Sequence, residues 1–231
     1  METALARQHE LHSHKPHVIS LTQATELGTI YRAEEIHAIA QFAKAREMLL
    51  HMDGARFANA LAALECAPKK ITWQAGVDVL CFGGSKNGLA AGELVIFFDK
   101  ERSDEFDYRA KQAGQLASKM RFLSAPWHRL LEADLWLENA KRASAMANKL
   151  ADALTRQGAK IIFPPEANAV FVRLDPNVVA KLRERGWQFY RFIEPDVYRL
   201  MCSWATDDEA IAAFAHDFQE AQSCAPALAW L

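Results

Sequence analysis

Lys86 lies in the run Gly83-Gly84-Ser85-Lys86-Asn87-Gly88-Leu89, between the apolar segments Val77–Phe82 and Leu94–Phe98. Glycines on both sides admit backbone conformations closed to other residues, and they let a flat ligand approach the chain closely. Lysine is rarely buried, and where it is buried the neutral amine is favoured. That amine condenses with an aldehyde to form an imine. The plain alternative is a solvated turn lysine. Upstream, His51-Met52-Asp53-Gly54-Ala55-Arg56 places an anion and a planar cation in one short turn.

The surrounding pattern says what must position these groups. His17–Thr22 reads as a buried strand, followed by a loop from Gln23 to Tyr31 that contains Gly28. Ile36, Ile39, Ala40, Ala43 and Met48 fall at helical spacing, so a helix is expected from Ala33 to Glu47, with Glu34 and Glu35 favouring its first turn. Met48–Met52 is the next strand. Phe57–Leu64 looks helical, and a short helix over Ile71–Ala75 leads to the strand before Lys86. Strands and helices alternating at these intervals require parallel crossovers, hence an α/β architecture. Ligands of such sheets gather at the carboxyl ends of the strands. Asp53 and Lys86 each follow a strand, so both should open onto one edge.

From Arg102 to Gly158 the pattern is helical, interrupted at Lys111–Gln115 and restarted by Pro126. Leu130, Leu131, Leu135, Leu137, Met146, Leu150 and Leu154 form a long apolar stripe that Gly158 would end. Short strands are expected at Lys160–Phe163, Ala169–Leu174, Trp187–Phe192 and Tyr198–Cys202. Helices are expected at Val178–Arg185 and Asp207–Ala221, the latter capped by Thr206 or Asp207. This mixture points to a small α+β domain from Asp134 onward.

The 231 residues suffice for a sizeable core, and a net charge of −2 with 24% charged residues is an ordinary soluble composition. No basic block exceeds Lys69-Lys70, which argues against nucleic acid, and no apolar run approaches a membrane span. Cys66, Cys81, Cys202 and Cys224 form no CxxC pair, so disulfides and zinc clusters are not expected and a reducing cytoplasm fits. His9, His12, His14 and His17 read as a solvated end rather than a metal site. The phosphate-loop pattern fails at Gly83-Gly84-Ser85-Lys86, because its spacing is absent and Asn87 follows the lysine. A Ser-Lys hydrolase through Ser85 is disfavoured because adjacent side chains diverge.

Lysine, carboxylate and arginine together match what pyridoxal 5'-phosphate needs. Lys86 would meet the aldehyde, Asp53 would keep the pyridine nitrogen protonated, and Arg56 would grip a substrate carboxylate with its planar fork. The paired runs His51–Arg56 and Asp78–Gly88 resemble those of the low-specificity L-threonine aldolases, a family of fold type I pyridoxal phosphate enzymes in the β-eliminating lyase group. The likeness extends to Thr22–Glu26, Lys111–Pro126, Glu166–Asn168 and Arg199–Trp204. It implies that Lys86 holds the cofactor as an imine, that Asp53 pairs with the ring nitrogen, and that Arg56 and Arg199 lie near the substrate carboxylate and cofactor.

The implied reaction is cleavage of the Cα–Cβ bond of L-threonine or L-allo-threonine to glycine and acetaldehyde, in a cytoplasmic homo-oligomer. Lys111–Arg121 resembles a loop near the subunit interface. The implied fold is a partial α/β/α fold type I large domain over residues 1–133, followed by a small α+β domain over 134–231. Members of the family carry a further segment before the His17–Thr22 strand, which supplies the phosphate-binding turn and a ring-stacking histidine. Impaired chemistry is therefore expected of this chain. Two other readings stand beside the aldolase: a lyase for another β-hydroxy amino acid such as phenylserine, and an inactive remnant acting only as an interaction module.

Overall fold

The computed structural model describes residues 14–223, so His9, His12 and Cys224 fall outside the described residues. The first sheet runs β1 (Val18–Thr22), β2 (Leu49–Gly54), β3 (Val79–Gly83) and β4 (Glu93–Phe97), in that spatial order. Strands β1, β2 and β3 are parallel, while β4 returns antiparallel to β3. The lysine turn is thus a connection between neighbouring antiparallel strands. Neither β1 nor β4 is the buried strand that its apolar residues suggest: both are edges, and their alternate residues face out.

Helices α1 (Ala33–Lys44) and α2 (Phe57–Leu64) supply the crossovers, with single 3₁₀ turns at Pro68–Ile71 and Trp73–Ala75 before β3. Helix α1 starts where Glu35 accepts the Arg32 N–H at 2.7 Å, and it buries Ile36 and Ala43. One face of the sheet, through Leu21, Leu50, Met52, Leu80 and Phe82, packs on these helices and on Trp127, Trp136 and Ala140. The opposite face carries Ser20, His51, Asp53 and Cys81 and is open or half-open.

Beyond β4 come α3 (Phe106–Gln112), α4 (Arg121–Glu132) and α5 (Leu135–Arg156). Pro126 does not start a helix, contrary to expectation. It lies inside α4, where it removes the N–H that would reach back to Phe122 and crowds that carbonyl, near the exposed start of the helix. Helix α5 has 22 residues, which makes it about 33 Å long. Its first half, with Trp136 and Ala140, belongs to the first core. Its second half, with Met146, Leu150 and Leu154, belongs to another. It ends before Gly158, which takes a left-handed φ of 83°.

The second sheet is antiparallel throughout, in the order β5 (Lys160–Ile161), β6 (Ala169–Arg173), β8 (Val197–Met201), β7 (Tyr190–Ile193). Strands β5 and β7 are shorter than their apolar runs suggest. One face, with Val170, Val172, Tyr198 and Leu200, is covered by α5, α6 (Pro176–Glu184) and α7 (Asp208–Ser223). Asp207 caps α7 by accepting the Ala210 N–H at 2.8 Å. The other face carries Ala169, Phe171 and Val197, packed with Ile162, Phe163, Phe192 and Ile193.

Contacts besides α5 join the halves. Glu166 accepts the Ile30 N–H at 3.0 Å and pairs with Arg32 at 2.7 Å, and Gly28 lies against Ala169 and Phe171. Leu154 has no solvent exposure and sits where α5 meets β6, α6 and α7. Leu154→Ala should therefore destabilise the chain by roughly 2–5 kcal/mol, read as a lower urea midpoint at unchanged slope.

Candidate active site

Gly83 is where the two candidate turns touch. A Cβ built on Gly83 would lie 2.8 Å from the Ala55 Cα and 2.9 Å from Glu93 Oε2. No larger residue fits, so the backbone after β3 packs directly on the Asp53–Arg56 turn. Gly84 has a parallel reason: its Cβ would strike Leu89 and the Trp127 indole, both at 2.6 Å. The Lys86 turn is a single 3₁₀ turn, Ser85–Asn87. Asn87 anchors it, buried, donating to the Trp136 carbonyl at 2.9 Å, while Asn139 donates to the Asn87 carbonyl at 2.9 Å. Both contacts fasten the turn to α5.

Lys86 itself is exposed, as the reading of a solvated turn lysine had it. Because β4 is an edge strand, the turn projects from the end of the sheet instead of lying between core strands. Asp53 is the penultimate residue of β2, three positions before Arg56, its Oδ1 accepting the Ala55 N–H at 2.9 Å. Arg56 leads into α2, and its carbonyl accepts the Asn59 and Ala60 N–H groups. Burial lowers the Arg56 pKa, against the opposing fields of Asp53 and Glu26.

Glu93 ties the lysine to the aspartate. Burial raises its pKa, the Lys86 charge and hydrogen bonds from Ser85 and the Gly84 backbone oppose the rise, and the Asp53 charge adds to it. One carboxylate therefore senses both Lys86 and Asp53, which lie at the same end of the sheet. Cys81, paired in register with Asp53, has its thiol pushed up by burial and then by Asp53 and Glu93. Its Sγ lies 3.3 Å from His51 Nε2, and His51 Nδ1 lies 2.8 Å from Ser20 Oγ, a polar row across the open face.

Arg199 comes from the other sheet, on β8, paired in register with Phe171 and Tyr190. Burial lowers its pKa, and the like charge of Arg56 lowers it further, while Glu26 opposes both. The four residues singled out from sequence, Asp53, Arg56, Lys86 and Arg199, thus share one electrostatic neighbourhood. Beside it, a depression at the end of β1 is lined by Ser20, Thr22, Thr25, Glu26 and Tyr31.

Glu26, Glu93, Asn87 and Asn139 escaped the reading of types and spacing. Glu93 has a usable signal only once β4 is known to run antiparallel, which returns its first residue to the lysine end. Among the described residues, one cluster has metal-ligand spacing: His216, Asp217 and Glu220 on α7. Asp217 is engaged by Arg185 at 2.5 Å and by the Trp187 indole N–H at 2.7 Å, and Glu220 by Arg185 at 2.7 Å. It is an ion-pair network remote from the sheet edge.

Comparison with known proteins bears on this arrangement. The family model described as "Beta-eliminating lyase" matches residues 1–177. A low-specificity L-threonine aldolase of Pseudomonas aeruginosa is 51% identical over 219 residues, covering 94% of this chain and 63% of that protein. One from a Pseudomonas species is 49% identical over 223 residues, covering 96% of this chain and 64% of that protein. The chain therefore spans just under two thirds of the length of these curated relatives. The Leishmania major threonine aldolase structure superposes with a TM-score of 0.86 at 26% identity, covering 95% of this chain and 65% of that one.

The Glu93 environment has a pH consequence. With its folded pKa raised above the unfolded value, the native state holds the extra proton between the two, so stability falls as pH rises through that window. Urea titrations at stepped pH should show wild type losing stability relative to Glu93→Gln on crossing the upper carboxyl range. A flat difference would mean that Glu93 titrates normally.

Proposed function

Because the chain belongs to the beta-eliminating lyase family, we propose that its sheet edge is the catalytic half-site of a pyridoxal 5'-phosphate-dependent L-threonine aldolase. The reaction is cleavage of the Cα–Cβ bond of L-threonine or L-allo-threonine, giving glycine and acetaldehyde. The observation that carries this reading is the contact of Gly83 with Ala55. It brings the amine of one turn and the acid of the other within the field of a single carboxylate, Glu93.

The donor set fits the cofactor. Lys86 is an exposed amine on a turn held firmly by Asn87, so it is both reachable and positioned. Asp53 spends one oxygen on the Ala55 N–H, and among the described residues no hydrogen bond occupies the other. That oxygen is the one to keep a ring N–H protonated. When bound, pyridoxal phosphate supplies an electron sink for the bond that breaks at Cα.

The protein's own part is positioning. Arg56 and Arg199 come from different sheets, and the Arg56 charge raises the cost of charge on Arg199, a cost that a bound anion would relieve. A substrate carboxylate is such an anion, and two desolvated guanidiniums fix its orientation. Helix α3 buries no residue, and Tyr108 and Phe122 are 73% and 66% exposed, an apolar arm suited to packing against a second copy of the chain. That supports the homo-oligomeric reading.

Borohydride treatment of the chain with added pyridoxal phosphate, followed by peptide mapping, tests the assignment. The label is expected on Lys86 and absent in Lys86→Ala. Asp53→Asn should retain the label yet release glycine from threonine about 10²–10³-fold more slowly, the scale of removing one preorganised charge. A label on other lysines with Lys86 unmodified would refute the reading.

A further inference from the structure

Arg199 is held in an unusual way. Among the described residues its side chain makes no hydrogen bond or ion pair, and its Nε is buried without a partner. Its guanidinium carbon instead lies 4.8 Å from the centre of the Tyr190 ring and 4.5 Å from that of Phe192. Tyr190 faces Arg199 directly across the β7–β8 ladder. Phe192 reaches it through an irregularity: Arg191 pairs with Tyr198 and Ile193 with Val197, which leaves Phe192 bulged between them. Bulges re-aim side chains in this way.

Behind Phe192 the shelf is braced. Phe171, fully buried, meets Phe192 edge-on with ring centres 5.4 Å apart, and Phe163 meets Phe171 at 5.6 Å. The guanidinium carbon lies over both ring faces, and π-faces attract the cation as a whole and not through one hydrogen-bond donor. Aromatic faces can therefore hold the cation without using a single donor, which a carboxylate support could not do.

We propose that Tyr190 and Phe192 are positioning residues that cradle the Arg199 guanidinium, keeping its planar donor edge free to take the α-carboxylate of an amino acid. This rests on the carboxylate role given to Arg199 above. It adds a reason why that guanidinium is held without a direct ion pair, and it makes the β7 bulge part of the site. The test needs a readout apart from turnover. Phenylglyoxal modification of Arg199 in the purified chain, followed by mass mapping, reports access to the guanidinium, and glycine serves as the competing carboxylate.

Glycine should slow modification in wild type and in Tyr190→Phe, which keeps the ring face. In Tyr190→Leu with Phe192→Leu, which keeps apolar bulk without a π-face, the half-protecting concentration should rise about tenfold, the reach of two desolvated cation–π contacts. Tyr190 is 49% exposed, so Tyr190→Leu alone serves as the gentler variant should the pair unfold. Equal protection in the leucine variants, or no protection in wild type, overturns the cradle. Ring-dependent protection in a chain that releases no glycine from threonine would sink the aldolase reading and leave the cradle standing.

Discussion

The site depends on a steric constraint rather than on any single polar bond. Two turns from neighbouring parallel strands can share an edge only if one of them has no side chain at the contact, and Gly83 against Ala55 meets that condition. Everything polar nearby follows. Asp53 and Lys86 enter the field of Glu93, Cys81 stays a protonated thiol among carboxylates, and Arg56 is desolvated beside its aspartate. A methyl group at position 83 would lie 2.8 Å from the Ala55 Cα and force the turns apart. Charge interactions at this edge would weaken before any charged residue had been changed.

Much of this was legible from residue types. The parallel crossovers follow from apolar runs alternating with the 3.6-residue period of Ile36, Ile39, Ala40 and Ala43. The convergence of Asp53 with Lys86 follows from both residues succeeding strands of one sheet. The glycine-rich turn was readable because glycine there has a steric cause. Helix α2 and the Asp207 cap were similarly plain, since local chemistry decides them.

What escaped depends on which neighbour a strand chooses. Val95, Ile96 and Phe97 have the composition of a central strand, yet nothing local says that β4 will reverse and form an edge. That reversal exposes Lys86 and returns Glu93 to the site. Pro126 carries a start signal that the preceding turn of α4 overrides. The Asn139 donor to the Asn87 carbonyl joins residues 52 positions apart, and the bulge at Phe192 reflects a register set by β8. Tertiary pairing, not propensity, decides each of these.

Helix α5 has a mechanical implication. One continuous rod has its first turns in one interior and its last turns in the other, and its Asn139 grips the lysine turn. The Glu166 clasp and the Gly28 contact brace the same junction from the far side. Such a frame couples the two sheets at both sides of their junction. The separation of Arg56 from Arg199 is then set by this frame as well as by the turns and strands that carry them.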